Sequence, residues 1–180
     1  MSIPSTRYPL SLRVIHWLTV VAVLAAALLA DAEEHEGEGG SAASNLSAMS
    51  WHYAAGLAVL LLLIPRILLR IRTRVPPIIP TPDRFTALTA RLVHLALYAF
   101  LLAVPLLGWL QLGYAGESLT LPWLGWQLPA LVQPDPQAKE LIGELHEVLG
   151  NVLYGLIALH VAAALWHHIV RRDNTLKRML

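Results

Sequence analysis

Four apolar runs, each long enough to cross a bilayer as a helix, dominate the sequence. A helix needs roughly 20 mostly apolar residues to traverse the hydrocarbon core. The first run extends from about Leu10 to Ala30 and the second from about Ser50 to Leu69. The third covers roughly Thr86 to Leu112, with Pro105 and Gly108 inside it, and the fourth runs from about Leu141 to Val170. The connections differ in composition. One is acidic and glycine-rich (Asp31 to Ser41), one proline-rich (Val75 to Asp83), and one holds Gly, Pro and Trp (Gly113 to Pro136). Irregular backbone cannot face lipid, so these connections are expected at the membrane surfaces. The first run is too long for a signal-peptide core and is followed by three more, so it is expected to remain as a span. Charged residues make up only 14% of the chain and its mean hydropathy is +0.56. Soluble domains carry about 25% charge. The expected architecture is all-α: one domain over residues 1–180, an integral membrane four-helix bundle in contact with lipid. A soluble bundle explains neither the four lengths nor the sorting of charge.

That sorting predicts orientation. Lys and Arg accumulate in cytoplasmic loops. Arg7 and Arg13 precede the first span, and Arg66, Arg70, Arg72, Arg74, Arg84 and Arg91 flank the second connection. Arg171, Arg172, Lys177 and Arg178 follow the fourth span, leaving only Lys139 on the other side. Both termini are therefore expected in the cytoplasm. Trp109, Trp123 and Trp126 are expected at the opposite interface, where amphipathic rings are favoured. No nucleic-acid partner is expected.

The sequence has no cysteine. Disulfides, thiolate metal sites, iron–sulfur clusters and covalent haem attachment are excluded. Histidine is a different matter, because an ionisable side chain inside a span marks a candidate functional site. His16, His52, His94, His146 and His160 all fall within the apolar runs. His146 and His160 lie 14 residues apart, nearly four full turns, so they share a helix face about 21 Å apart along the axis. Depth then suggests partners. His52 and His146 lie near the outer ends of their helices, while His16 and His160 lie in the cytoplasmic half. Two histidines across a bundle, with a porphyrin filling the other four positions, satisfy a six-coordinate haem iron. Zinc would need a compact tetrahedral cluster, which a 21 Å separation forbids. Small residues at i+4 (Gly56 after His52, Gly150 after His146, Ala164 after His160) leave room for a flat macrocycle. His94 also sits in the cytoplasmic half, with Tyr98 at i+4. It is open as a replacement ligand, a quinone or propionate contact, or a structural residue. His167 and His168 near the cytoplasmic end are quinone candidates or interface markers. Arg13, Arg66 and Arg70 are candidates for holding haem propionates.

Several segments add up to a family pattern. They are His16–Trp17–Leu18, His52 with Gly56, RILLRIRTRVPPIIPTP (Arg66 to Pro82) and ALYAFLLAVPLLGW (Ala96 to Trp109). The fourth-run pattern from His146 to His160 and the tail HHIVRRDNTLKRML (His167 to Leu180) complete it. Over nearly its whole length the chain resembles the bacterial cytochrome b561 family, within the wider group of di-haem membrane cytochromes. The resemblance implies an inner-membrane protein with two haem b groups, His16 pairing with His160 and His52 with His146. It implies electron exchange with ubiquinone, with superoxide oxidation at the periplasmic face as one such activity. The acidic run Asp31, Glu33, Glu34, Glu36 and Glu38 departs from the pattern. A negative face lowers the local concentration of an anion such as superoxide, and favours a cationic periplasmic redox protein. His35 within this run is a candidate weak metal ligand. The alternative function is a non-catalytic electron-transfer or anchor subunit for such a partner. A more distant one is a transporter or haem carrier.

Overall fold

The computed structural model describes residues 7–36, 42–122 and 125–180, with the side chains of 32–36 and 42–47 left out. The expected positions of Trp123 and Glu38, and the side chains of Glu33, Glu34, His35 and Glu36, lie outside the described residues. Four long helices carry the fold: α1 (Leu10–Glu36), α2 (Ala42–Arg72), α3 (Arg84–Tyr114) and α4 (Pro136–Ile169). Each contains a stretch long and apolar enough to cross a membrane. The fold is an all-α membrane four-helix bundle.

Local chemistry sets several helix ends. Asp83 caps α3, its carboxylate accepting from the Thr86 hydroxyl at 2.6 Å and the Thr86 amide at 2.9 Å. The bond from the Thr86 hydroxyl is the largest reason that the Asp83 carboxyl is held down at about 2. Asp135 caps α4 by accepting from the amides of Gln137 and Ala138, with Pro136 in the first turn, where its missing N–H is harmless. Arg70 and Arg72 close α2, where cations suit the helix dipole.

The helices overrun the expected spans. The acidic connection does not begin at Asp31: α1 continues to Glu36, and α2 starts at Ala42 rather than Ser50. Ala and Glu are strong helix formers, and leaving the hydrocarbon does not itself end a helix. Likewise α4 starts at Pro136, just after its Asp135 cap and five residues before the expected apolar onset at Leu141. The third connection was expected to be irregular, yet it holds a short antiparallel ladder, β1 (Leu119–Thr120) with β2 (Gln127–Leu128). Leu119 is buried there, and β1 packs on α2. Two-residue strands carry no readable alternation, which is why the sequence hid them.

Backbone packing is closest within two antiparallel hairpins, α1–α2 and α3–α4, and α2 against α3 joins them. Val59, Leu63, Leu101 and Leu153 form a small core. Around it the outward faces are apolar and open: Leu28 is 68%, Ile71 73% and Phe85 78% exposed. Apolar faces of this extent belong against lipid rather than water.

One end of the bundle, carrying both chain termini, is called here the terminal end. A short 3-10 helix (Leu176–Arg178) and the residues before it form a clasp there. Asn174 accepts from the Ile79 amide at 2.8 Å, and its side-chain amide donates to the Pro77 carbonyl at 3.2 Å. Asp173, 4% exposed, accepts from His167 Nδ1 and from the Thr175 amide. Burial pushes the Asp173 carboxyl up, but the hydrogen bonds from His167 and Thr175 outweigh it and hold it below the usual carboxylate range. Arg171 reaches the Thr86 hydroxyl and Asp83. Arg178 donates to the Tyr8 hydroxyl at 3.1 Å and lies over its ring. Trp17 Nε1 donates to the Met179 carbonyl. The tail thus ties the α2–α3 connection to the start of α1.

Asn174→Ala removes two of these side-chain bonds and is expected to cost about 1–3 kcal/mol, read as a lower thermal midpoint in mild detergent. Asp173 has a lowered carboxyl, so its contribution is present above the ordinary value of 3.8 and is lost as pH falls through the depressed one. Asp173→Asn should therefore lower stability at neutral pH and flatten the acid limb of its pH dependence. Unchanged melting in both variants would show that the clasp is not structural.

Candidate functional site

Toward the end opposite the termini, two histidines meet across the bundle. His52 on α2 and His146 on α4 have ring centroids 6.1 Å apart and planes inclined at 82°. Each ring is anchored by the other helix of its own hairpin. His52 Nδ1 donates to the Ala26 carbonyl of α1 at 2.8 Å, and His146 Nδ1 donates to the Val104 carbonyl of α3 at 2.9 Å. A donor role at Nδ1 leaves the Nε2 lone pair for a metal, and such a bond orients the ring and raises its basicity. Two metal–nitrogen bonds of about 2 Å, plus a little over an ångström from each ring centre to its nitrogen, match the observed span. The side chains therefore fit two-sided ligation of one iron.

Neighbouring residues serve this geometry. A Cβ on Gly108 would lie 3.1 Å from His146 Cε1 and 3.3 Å from its Nδ1. Glycine at this position lets the imidazole lie on the α3 backbone. A Cβ on Gly150 would meet nothing within 4 Å, and one on Gly56 only Pro105 Cβ at 3.8 Å. The backbone at Gly150, one turn from His146, is thus uncovered, whereas Gly56 packs on Pro105.

The second layer, toward the terminal end, is a cavity of about 330 Å³ lined from all four helices. It brings together His16 of α1, Arg66 of α2, His94 and Tyr98 of α3, and His160 of α4. Here the His160 ring meets that of His94, with centroids 5.2 Å apart. His16 borders the same cavity, its own ring packed edge-on against Trp17. His94 Nδ1 donates to the Ala90 carbonyl one turn back. The rings of His16 and His160 have no hydrogen-bond partner among the described residues. Arg66 lies over the Tyr98 ring, and its Nε and one terminal nitrogen are buried without a partner. A buried cationic donor of this kind calls for an anion.

Other candidates lie elsewhere. His167 is engaged by Asp173 in the clasp, and His168 is exposed. Of the expected propionate partners only Arg66 lines the cavity: Arg70 lies over Tyr8, and Arg13 lines a separate groove on the outer side of α1. Trp109 Nε1 donates to the Pro129 carbonyl at the end opposite the termini, and Trp126 is exposed there. Sequence reasoning missed Gly108, Val104 and Ala26. Gly108 was visible as a glycine inside a span, but a backbone carbonyl has no residue-type signal. Among the described residues no cluster of three or more His, Asp or Glu forms a metal site, and a bis-imidazole iron needs none.

Residues 7–180 match the family model described as prokaryotic cytochrome b561. The chain is 37% identical to cytochrome b561 homolog 1 of Escherichia coli K12, with 92% of each chain covered. It is 35% identical to the probable superoxide oxidase CybB of Yersinia pestis over 72% of each chain. It is also 33% identical to cytochrome b561 homolog 2 of E. coli K12, over 72% of this chain and 68% of the relative.

The contact at Gly108 yields a local test. Gly108→Ala should move the His146 ring by a few tenths of an ångström and lengthen its bond to Val104. Histidine-selective ¹⁵N NMR should show Nδ1-protonated tautomers for His52 and His146, with only the His146 signals displaced in the variant. A variant spectrum identical at both positions would mean that Gly108 does not seat the ring.

Proposed function

The chain belongs to the prokaryotic cytochrome b561 family, and from that premise we propose that it is a di-haem electron carrier linking a periplasmic donor to the quinone pool. As a family member it is a b-type cytochrome of the bacterial inner membrane. In our reading residues 1–180 form one membrane domain with both termini in the cytoplasm, on the strength of the basic terminal end. His52 with His146, and His16 with His160, are the proposed axial pairs. The observation that carries the reading is the His52–His146 pair: two anchored imidazoles facing each other at the span of a shared iron.

Haem, when bound, supplies reversible one-electron chemistry. The chain's own residues do the rest. The carbonyls of Ala26 and Val104 hold two rings in one tautomer and orientation. Leu97, Leu101, Val23 and Ile157 keep water from the second layer. Arg66 offers its unpartnered nitrogens to a propionate, and its charge favours the reduced iron. His94 touches His160 and lines the same cavity. It is the first alternative to His16 as a ligand, or a contact to propionate or quinone. His167 and His168 remain quinone candidates at the terminal end, with ubiquinone as the proposed acceptor.

The relative named a probable superoxide oxidase raises superoxide as donor. A second reading rests on the acidic end, where Glu140, Glu144 and Glu147 are exposed on α4. In that reading the chain has no substrate of its own and takes electrons from a cationic redox protein. Steady-state turnover separates them: the isolated chain reduces a ubiquinone analogue with superoxide only in the first case.

His52→Ala or His146→Ala should remove one haem and leave the other, measured as haem per polypeptide from pyridine haemochrome spectra. His16→Ala should remove the other. Two low-spin haems retained after either distal change would overturn the pairing. Arg66→Gln should keep both haems and lower the midpoint potential of one, because a cation near iron stabilises the added electron.

A further inference from the structure

On the lipid-facing side of α1, at the terminal end, lies a second concavity separate from the histidine cavity. It measures about 310 Å³ and is lined by Leu10, Arg13, Val14, Leu18, Val21 and the tail residues Met179 and Leu180, with Trp17 on its wall. Its walls are almost wholly apolar, and Leu10, Val14, Leu18 and Val21 are 46–68% exposed. They descend one face of α1 over three turns, the direction an acyl chain takes beside a spanning helix. At the rim is a cation. Arg13 Nε is buried without a hydrogen-bond partner, and no described carboxylate pairs with the side chain.

A buried arginine adjoins the groove. Arg178 directly precedes Met179 and is only 6% exposed. Its Nε is also buried without a partner, and among the described residues its guanidinium is met by the Tyr8 ring and hydroxyl. Tyr8 and Pro9 tie the two arginines to one corner. The Tyr8 amide donates to the Arg178 carbonyl and the Arg13 amide to the Pro9 carbonyl. Trp17, bonded to the Met179 carbonyl, holds the tail against the wall. Unpaired buried cationic nitrogens call for an anion. Beside a lipid-facing apolar groove at a membrane surface, that anion is the phosphate of a phospholipid.

We propose that this groove is a binding site for an anionic phospholipid, its phosphate held by Arg13 and one acyl chain lying along Val14, Leu18 and Val21. The lipid would pin the tail clasp to α1. The proposal does not depend on the haem pairing, because none of the groove residues, Arg13 included, lines the histidine cavity.

The test uses the haem-loaded full chain in nanodiscs of phosphatidylcholine doped with photoreactive phosphatidylglycerol. Labelling is expected on peptides spanning Leu10–Val21 or the tail. Arg13→Gln should reduce it about fivefold, the loss expected for one interfacial cation. Leu18→Trp, which fills the groove and leaves the charge, should reduce it as well. Both variants should keep the wild-type haem spectrum, which reports folding. Labelling that is unchanged in either variant, or equal for photoreactive phosphatidylcholine, would overturn the site. Labelling suppressed by inorganic phosphate would show a free-anion site and would overturn the lipid assignment.

Discussion

A helix crossing lipid satisfies its own backbone, so a polar side chain inside the bundle must find its partner within the protein, either one turn back on its own helix, as His94 does, or on a neighbouring helix. Most features of this protein follow from that constraint. The rings of His52 and His146 are half-buried in an apolar bundle, where an unpaired N–H costs about 1–3 kcal/mol. Each finds a backbone carbonyl on the other helix of its hairpin, Ala26 for one and Val104 for the other. A carbonyl already bonded within a helix retains a second lone pair, so the helices need not break to accept. Each hairpin thereby carries one oriented imidazole, and packing α2 against α3 brings the two together.

Much of this was legible in the sequence. The number of helices followed from the apolar runs, because twenty apolar residues have few other homes. The meeting of His52 with His146 followed from depth, since a helix converts residue number into height at a fixed rise. Depth does not fix azimuth, however. His16 and His94 lie at similar height, and only the packing of α3 on α4 brings the His94 ring against His160. Carbonyl partners were invisible for a simpler reason: every residue has one. Helix ends inside the aqueous boundary were misjudged because hydropathy reports where lipid stops. The caps at Asp83 and Asp135 report where a helix begins.

The tail shows how a short motif carries structure. In DNTL, Asp173 holds His167, Asn174 holds the backbone at Pro77 and Ile79, and the Thr175 amide closes on Asp173. The asparagine acts as a two-way adaptor, accepting from one amide and donating to one carbonyl in the α2–α3 connection. That connection contains three prolines between Val75 and Pro80, which cannot donate from their own nitrogens. An external side chain therefore does part of what backbone pairing does elsewhere. The recurrence of a polar tail and a proline-rich connection in one chain has a physical basis, since each completes the other.

The two histidine layers are unlike in anchoring, space and charge. The His52–His146 layer is anchored at both rings and has no arginine beside it. The His16–His160 layer opens on a larger cavity, with Arg66 unpaired at its edge. Beyond them, Glu140, Glu144 and Glu147 lie toward one end and the arginines of α2 and the tail toward the other. Exposed charges more than about 10 Å away are largely screened by salt, so the distant ones contribute little. Arg66 is close and partly shielded from water, so its charge acts through low dielectric on the anion that pairs with it. The charge that distinguishes the two layers is therefore the one at Arg66 rather than those at the bundle ends.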